Sequence, residues 1–148
     1  MQWLLYGFAV VAGILNAVQS GCNATLGKSL QIPFVAALTI VAVSLSSLLL
    51  AGAVFGQLSW PGADKIGQVP WWAWFGGVLG ATYVMSQLLV AQRIGAAAYM
   101  GLTVTAAVVA SVMLDHFGWL GFKEHPIGVW RLVGVVLMIG GVGLVSKF

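Results

Sequence analysis

The sequence predicts an all-α integral membrane fold, a bundle of five transmembrane helices, from three observations. Of its 148 residues 61% are hydrophobic and 6% charged, with a mean hydropathy of +1.04. A soluble domain carries roughly a quarter charged residues, so most of this surface has to lie in lipid. Five apolar stretches then reach the roughly 20 residues that ~30 Å of hydrocarbon requires. They run over about 3–22, 33–55, 70–92, 97–115 and 127–146, separated by short breaks, which leaves 1–148 as a single five-helix transmembrane domain.

The breaks have ordinary causes. Pro33 opens span two, "SWPGADKIGQVP" parts span two from span three, and Arg93-Ile94-Gly95 makes a tight turn before span four. "DHFGWLGFKEHP" precedes span five. Residues 3–18 resemble a secretory h-region, and Ser20-Gly21-Cys22 superficially resembles a lipoprotein cleavage box. No Lys or Arg precedes the run, however, and Gln19 stands where such a box needs a large aliphatic residue, so a spanning helix is expected instead.

Span one is apolar to Leu15 and then turns polar without a charge. At 100° per residue, Ala9, Ala12, Gly13, Asn16, Gln19, Ser20, Asn23 and Gly27 fall within about 60° of one line. Val10, Val11, Ile14, Leu15 and Val18 form the other face. A carboxamide turned to lipid strands its donors and acceptors at a cost of several kcal/mol, so the stripe has to face protein or a hydrated cavity. Two readings are open: bonding between helices, or the wall of a polar cavity.

In span two, Thr39, Ser44, Ser46 and Ser47 are scattered, which suits hydroxyls bonded back to their own helix. Span three repeats the one-face pattern, with Gly76, Gly80, Tyr83 and Gln87 at i, i+4, i+7 and i+11. In span four, Tyr99, Thr103, Ala107, Ala110 and Ser111 trace a weakly polar stripe. Asp115 ends that span. At interfacial depth it is expected to cap a turn or pair with Lys123 or Arg131, with proton coupling as the alternative role. Span five has no polar side chain between Arg131 and Ser146, and Gly134 and Gly141 stack on one face with Gly140 beside them. Such small residues let lipid-embedded helices approach closely, so Gly134, Gly140 and Gly141 are expected at a dimer contact.

The charges bear on assembly. With five spans, Lys65, Lys123 and Arg131 lie on the N-terminal side and Lys28, Arg93 and Lys147 on the other. Orientation follows an excess of Lys and Arg in cytoplasmic loops, and three against three gives none. All seven tryptophans (Trp3, Trp60, Trp71, Trp72, Trp74, Trp119 and Trp130) fall near the N-terminal side, although Trp favours both interfaces. Two copies inserted in opposite directions would give both faces the same belt, and this reading is favoured over a single fixed orientation. The lone cysteine, Cys22, excludes an internal disulfide and a Cys-based metal cluster. The basic residues are spread singly, so no nucleic-acid patch exists. No cofactor, metal ligand set or nucleophile–base pair is present, and no enzymatic activity is expected.

Several segments resemble a known family. "AVQSGCNATLG", "GGVLGATYV", "RIGAA", "LDHFGWLG" and "LVGVVLMIGGVGLV" occur in the order found in the YdcZ family of the drug/metabolite transporter superfamily. The likeness runs over essentially the whole chain, and Gln-x3-Asn-x3-Gly and Asp-His-Phe-Gly are its most specific pieces. Ala106-Ala107 stand where the family pattern has Gly-Gln, and a Phe-x2-Gly of span two is replaced around Ile40 to Val43. The resemblance implies half of a ten-helix inverted-repeat transporter, completed as an antiparallel, dual-topology homodimer in the bacterial inner membrane. Its expected partners are membrane lipid and a small-molecule substrate.

The expected activity is export of a small polar or zwitterionic metabolite by alternating access. A non-transporting subunit that pairs with a related transporter is the alternative. Asn16, Gln19, Asn23, Tyr83, Gln87 and Thr103 are the candidate substrate-binding residues. The related small multidrug exporters carry a proton-exchanging glutamate in span one, where this chain has carboxamides. Proton-coupled export of cations is therefore not carried over.

Overall fold

The computed structural model describes residues 2–147. Among them, five helices are long and apolar enough to cross a membrane: Gln2–Leu30, Pro33–Val54, Trp71–Ile94, Ala96–Phe117 and Val129–Lys147. These are spans one to five in chain order. The chain divides between Gln92 and Arg93 into two compact units.

The first unit holds spans one to three. Span one runs to Leu30, eight residues beyond the end expected at Cys22. The expected end came from counting about 20 residues for a span, although the polar stripe already ran on to Gly27, and polarity alone does not break a helix. The hydroxyls of Thr25 and Ser29 donate to the carbonyls of Gly21 and Thr25 at 2.9 and 3.0 Å, so they burden no neighbour. The helix stops only where Pro33 dictates. A residue before proline is pushed out of the helical region, and Ile32 is extended (φ −122°, ψ 100°). At about 1.5 Å per residue the 29 residues reach roughly 43 Å, longer than the hydrocarbon is thick.

Span two starts with Pro33 in its first turn and closes on Gly56 in the left-handed region (φ 63°). There the amides of Gly56 and Gln57 donate to the carbonyls of Ala53 and Gly52 at 3.2 and 2.8 Å, a Schellman closure. Leu58 folds back onto Gly52, where an added Cβ would lie 3.0 Å from Leu58 Cδ2. As expected from their spacing, Thr39, Ser46 and Ser47 donate to the carbonyls four residues earlier, each at 2.8 Å.

Span three is not one regular helix. A 3₁₀ turn over Trp71–Trp74 leads into an α-helix over Phe75–Ser86, a π turn over Gln87–Ala91 and a last helical turn over Gln92–Ile94. The turn expected at Arg93-Ile94-Gly95 therefore narrows to Gly95, since Arg93 and Ile94 are helical. A short helix, Ala63–Gly67, sits in the segment before span three, where none was expected. The unit's apolar core is small: Ala36, Ile40 and Leu88, with Leu26, Ala37 and Val84 packed against them.

The second unit pairs spans four and five. Gly95 (φ 88°, ψ 153°) occupies a backbone region that side chains rarely adopt. Span four reaches Phe117, two residues past its expected end, and closes on left-handed Gly118, where a Cβ would lie 2.6 Å from Glu124 Cγ. Gly101 lets span five approach. Its missing Cβ would sit 3.2 Å from Val142 Cγ2, and Val135, Met138 and Val142 are the half-buried side of span five. Span five begins at Val129 rather than 127. Of the two partners expected for Asp115, the structure selects Arg131, whose Nη1 lies 3.5 Å from Asp115 Oδ2. The Asp115 carbonyl also accepts the His125 amide at 2.7 Å.

Candidate functional site

The polar stripe of span one divides along its length. Beyond Ser20 it is covered by span three, and before Ser20 it is open. The cover is the π turn, which meets span one directly. Three contacts hold the two together. Asn23 Nδ2 donates to Gln87 Oε1 at 2.7 Å in a buried bond. Leu88 lies over Gly27, where a Cβ would come within 2.7 Å of Leu88 Cδ2. The Gln92 side-chain amide donates to the carbonyl of Ala24. Asn23 and Gly27 of the Gln-x3-Asn-x3-Gly piece are therefore the receptor for this turn: Asn23 answers a carboxamide, and Gly27 makes room for a leucine.

The hydrogen bonding of this node is incomplete. Gln87 and Ser20 are each 1% exposed and Asn23 is 6% exposed. A carboxamide carries two N–H donors and an acceptor oxygen. Gln87 spends its oxygen on Asn23, while its Nε2 has no partner; neither has the Ser20 hydroxyl, one turn earlier on the same face. Leaving a buried donor unpaired costs about 1–3 kcal/mol. A bond between transmembrane helices returns on average only about 0.6 kcal/mol. The node is thus polar beyond what packing alone rewards.

Along the open half, Asn16 is half-buried and Gln19 exposed. Ala12, Asn16, Gln19 and Cys22 border a shallow hollow there. Tyr83 on span three is 36% exposed. A more enclosed groove of about 400 Å³ lies between spans two and three. Phe34, Leu38, Val41, Val78 and Met85 line it with almost no polarity, which suits an acyl chain better than a polar solute.

The remaining candidates lie in the second unit. The Thr103 hydroxyl is shared between the carbonyls of Tyr99 and Met100 at 2.9 and 3.2 Å, so its donor is engaged within its own helix. Thr105, by contrast, is buried with an unpartnered hydroxyl. Gly134, Gly140 and Gly141 face open space, with nothing within 4 Å of an added Cβ. Asp115 is half-buried and ion-paired to Arg131. Among the described residues no group of three or more His, Cys, Asp or Glu could hold a metal.

Sequence reasoning placed Asn23 and Gln87 on the faces of their helices but did not pair them. It missed Gln92 and Leu88, and it gave Ser20 and Gly27 no role beyond the stripe. Ser20 and Gly27 share the angular line of Asn23, so that signal was present. Gln92 could not be found this way, because straight 100° counting puts it on the wrong side of span three.

The DMT_YdcZ family profile, described as "Putative inner membrane exporter, YdcZ", matches residues 4–144. The chain is 25% identical over 156 residues to the inner membrane protein YdcZ of Escherichia coli (strain K12), covering 99% of this chain and 97% of that one. No solved structure matches it.

Proposed function

The chain belongs to the YdcZ family of the drug/metabolite transporter superfamily, a multi-pass helical protein of the inner membrane with a transport function, and from that premise we propose what it moves and how. It exports a small polar or zwitterionic metabolite by alternating access. The working unit is a homodimer with its two copies in opposite orientations, ten helices in all, and 1–148 acts in it as one domain. Asn16, Gln19, Asn23, Tyr83, Gln87 and Thr103 contribute to the solute path, and Gly134, Gly140 and Gly141 to the contact between copies.

The observation that carries this reading is the open half of the stripe. Gln19 is exposed and Asn16 only half-buried on a helix otherwise made for lipid. Acyl chains cannot satisfy a carboxamide, so other protein or a hydrated path has to cover that face, and we assign the cover to a second copy. An inverted copy fits the even charge balance, because neither orientation is preferred. Uncharged donors and acceptors suit a neutral or zwitterionic solute and fix no charge in the membrane.

A thermal-shift screen of metabolites on the purified dimer, followed by liposome flux with the best hit, tests the reading. The expected result is a stabilising neutral or zwitterionic solute that is also moved. If stabilising solutes are never moved, and crosslinking in membranes recovers a related partner rather than a second copy, the chain is a non-transporting subunit.

A further inference from the structure

We propose that Ser20, Asn23 and Gln87 form a donor site for an oxygen acceptor of the solute, a carboxylate or an amide carbonyl, taken up in exchange for the Asn23–Gln87 bond. This rests on the transport reading and narrows its substrate class.

Two carboxamides joined by one hydrogen bond always leave a donor on one and an acceptor on the other. Here Gln87 keeps both Nε2 hydrogens unpartnered in a side chain that is 1% exposed, and Ser20 keeps an unpartnered hydroxyl on the adjoining turn of span one. The buried unmet groups are thus two N–H and one O–H, all able to donate, while the pair's spare acceptor, Asn23 Oδ1, is not among the buried unpaired atoms. An acceptor oxygen can take one Nε2 hydrogen together with the Ser20 hydroxyl, and an ammonium satisfies neither nitrogen-borne hydrogen.

The surrounding charge has the same bias. Spans one and three contain no Asp or Glu, and the formal charge of span one is Lys28, five residues beyond Asn23. A cationic headgroup would meet no counter-charge there, whereas a carboxylate would meet donors and a positive end. The closed node admits no solvent to Gln87 Nε2, so the acceptor enters only as the Asn23–Gln87 bond opens. The bond joins span one to a π turn, a helix geometry that recurs at functional sites.

The test uses full-length protein in lipid nanodiscs with ¹⁵N-labelled glutamine side chains, and three small probes: acetate, acetamide and tetramethylammonium. The Gln87 signal is assigned by its loss in Gln87→Glu. Acetate and acetamide should shift it in a saturable way, and tetramethylammonium should leave it in place. Gln87→Glu, which keeps the shape and removes the donors, should lose acetate binding measured by calorimetry and gain tetramethylammonium binding.

Should that variant fail to fold, Ser20→Ala removes one hydroxyl only and is expected to weaken acetate about three- to tenfold, the worth of one hydrogen bond. A Gln87 signal unmoved by acetate and acetamide, or moved equally by tetramethylammonium, overturns the proposal. Solute flux unchanged in kind and rate by Gln87→Glu also overturns it and leaves the transport reading standing. Acetate shifts without flux of any screened solute would instead sink the transport reading and keep the donor site.

Discussion

The two halves of one stripe on span one carry the same residue types and meet different fates. From Ser20 to Gly27 the stripe is locked under the π turn by Asn23–Gln87, Gly27–Leu88 and Ala24–Gln92. From Ala9 to Gln19 it is uncovered, and a Cβ added at Gly13 would meet nothing within 4 Å. Asn16 and Asn23 differ by about 20° of helical angle, so phase cannot separate them. What separates them is the neighbour opposite. A carboxamide is adhesive where another carboxamide faces it and available where nothing does.

The largest effect should come from removing the cover proposed for the open half. Two lysines inserted after Gly62 add positive charge on one side only and should force a single orientation. Liposome flux should then vanish and return when a copy biased the other way is co-expressed. Full flux from the single-orientation protein would break the comparison, because the open half would need no inverted partner.

Crowding the covered half comes next. Gly27→Leu drives a side chain into Leu88 and should cost about 1–3 kcal/mol, read as a lower melting temperature in detergent. Gly13→Leu should leave melting unchanged. Gly134→Leu and Gly141→Leu, which also enter open space within the protomer, should weaken dimerisation measured by sedimentation and leave the protomer's helicity intact. Wild-type dimer affinity in both would mark those glycines as lipid-facing.

A comparable effect, without crowding, is expected from the buried pair. Asn23→Ala and Gln87→Ala should each lower stability by about 1–3 kcal/mol, since each strands the other partner. In a double-mutant cycle their coupling should be near about 0.6 kcal/mol.

The smallest stability effect belongs to the open half. Asn16→Ala and Gln19→Ala should change melting by less than about 0.5 kcal/mol, the range of surface substitutions, while reducing flux. If they melt as early as Asn23→Ala, the whole stripe is adhesive and the division proposed for it collapses.

Much of this architecture was legible in the residues. Apolar run lengths located five spans, helical phase located the stripes, and the scatter of hydroxyls in span two indicated bonds to its own backbone. Depth and charge narrowed the partner of Asp115 to Lys123 or Arg131, and only the fold chose between them. Three other things were not legible, each for a physical reason. Span one ends at a proline-imposed boundary rather than after the length a bilayer requires, so its end was placed eight residues short even though the stripe ran on to Gly27. Close approach at Gly101 depends on which side of span five faces it, information no single helix carries. The locking role of Asn23 depends on a partner 64 residues away.

The π turn has a consequence for counting. In an α-helix, residues five apart point about 140° away from each other. Gln87 and Gln92 are five apart, yet both reach span one, at Asn23 and Ala24. A turn closed through i→i+5 absorbs one residue more than the α period, so the phase after Ala91 lags the numbering by one. Gln92 then behaves as a fourth neighbour would, about 40° from Gln87. The extra residue acts as a phase shifter that lets two glutamines grip one helix. Deleting a single residue among Leu88, Leu89 and Val90 should convert the π turn to α-helix and leave Gln92 on Ala24 as a true fourth neighbour, whereas inserting one alanine there should swing it off.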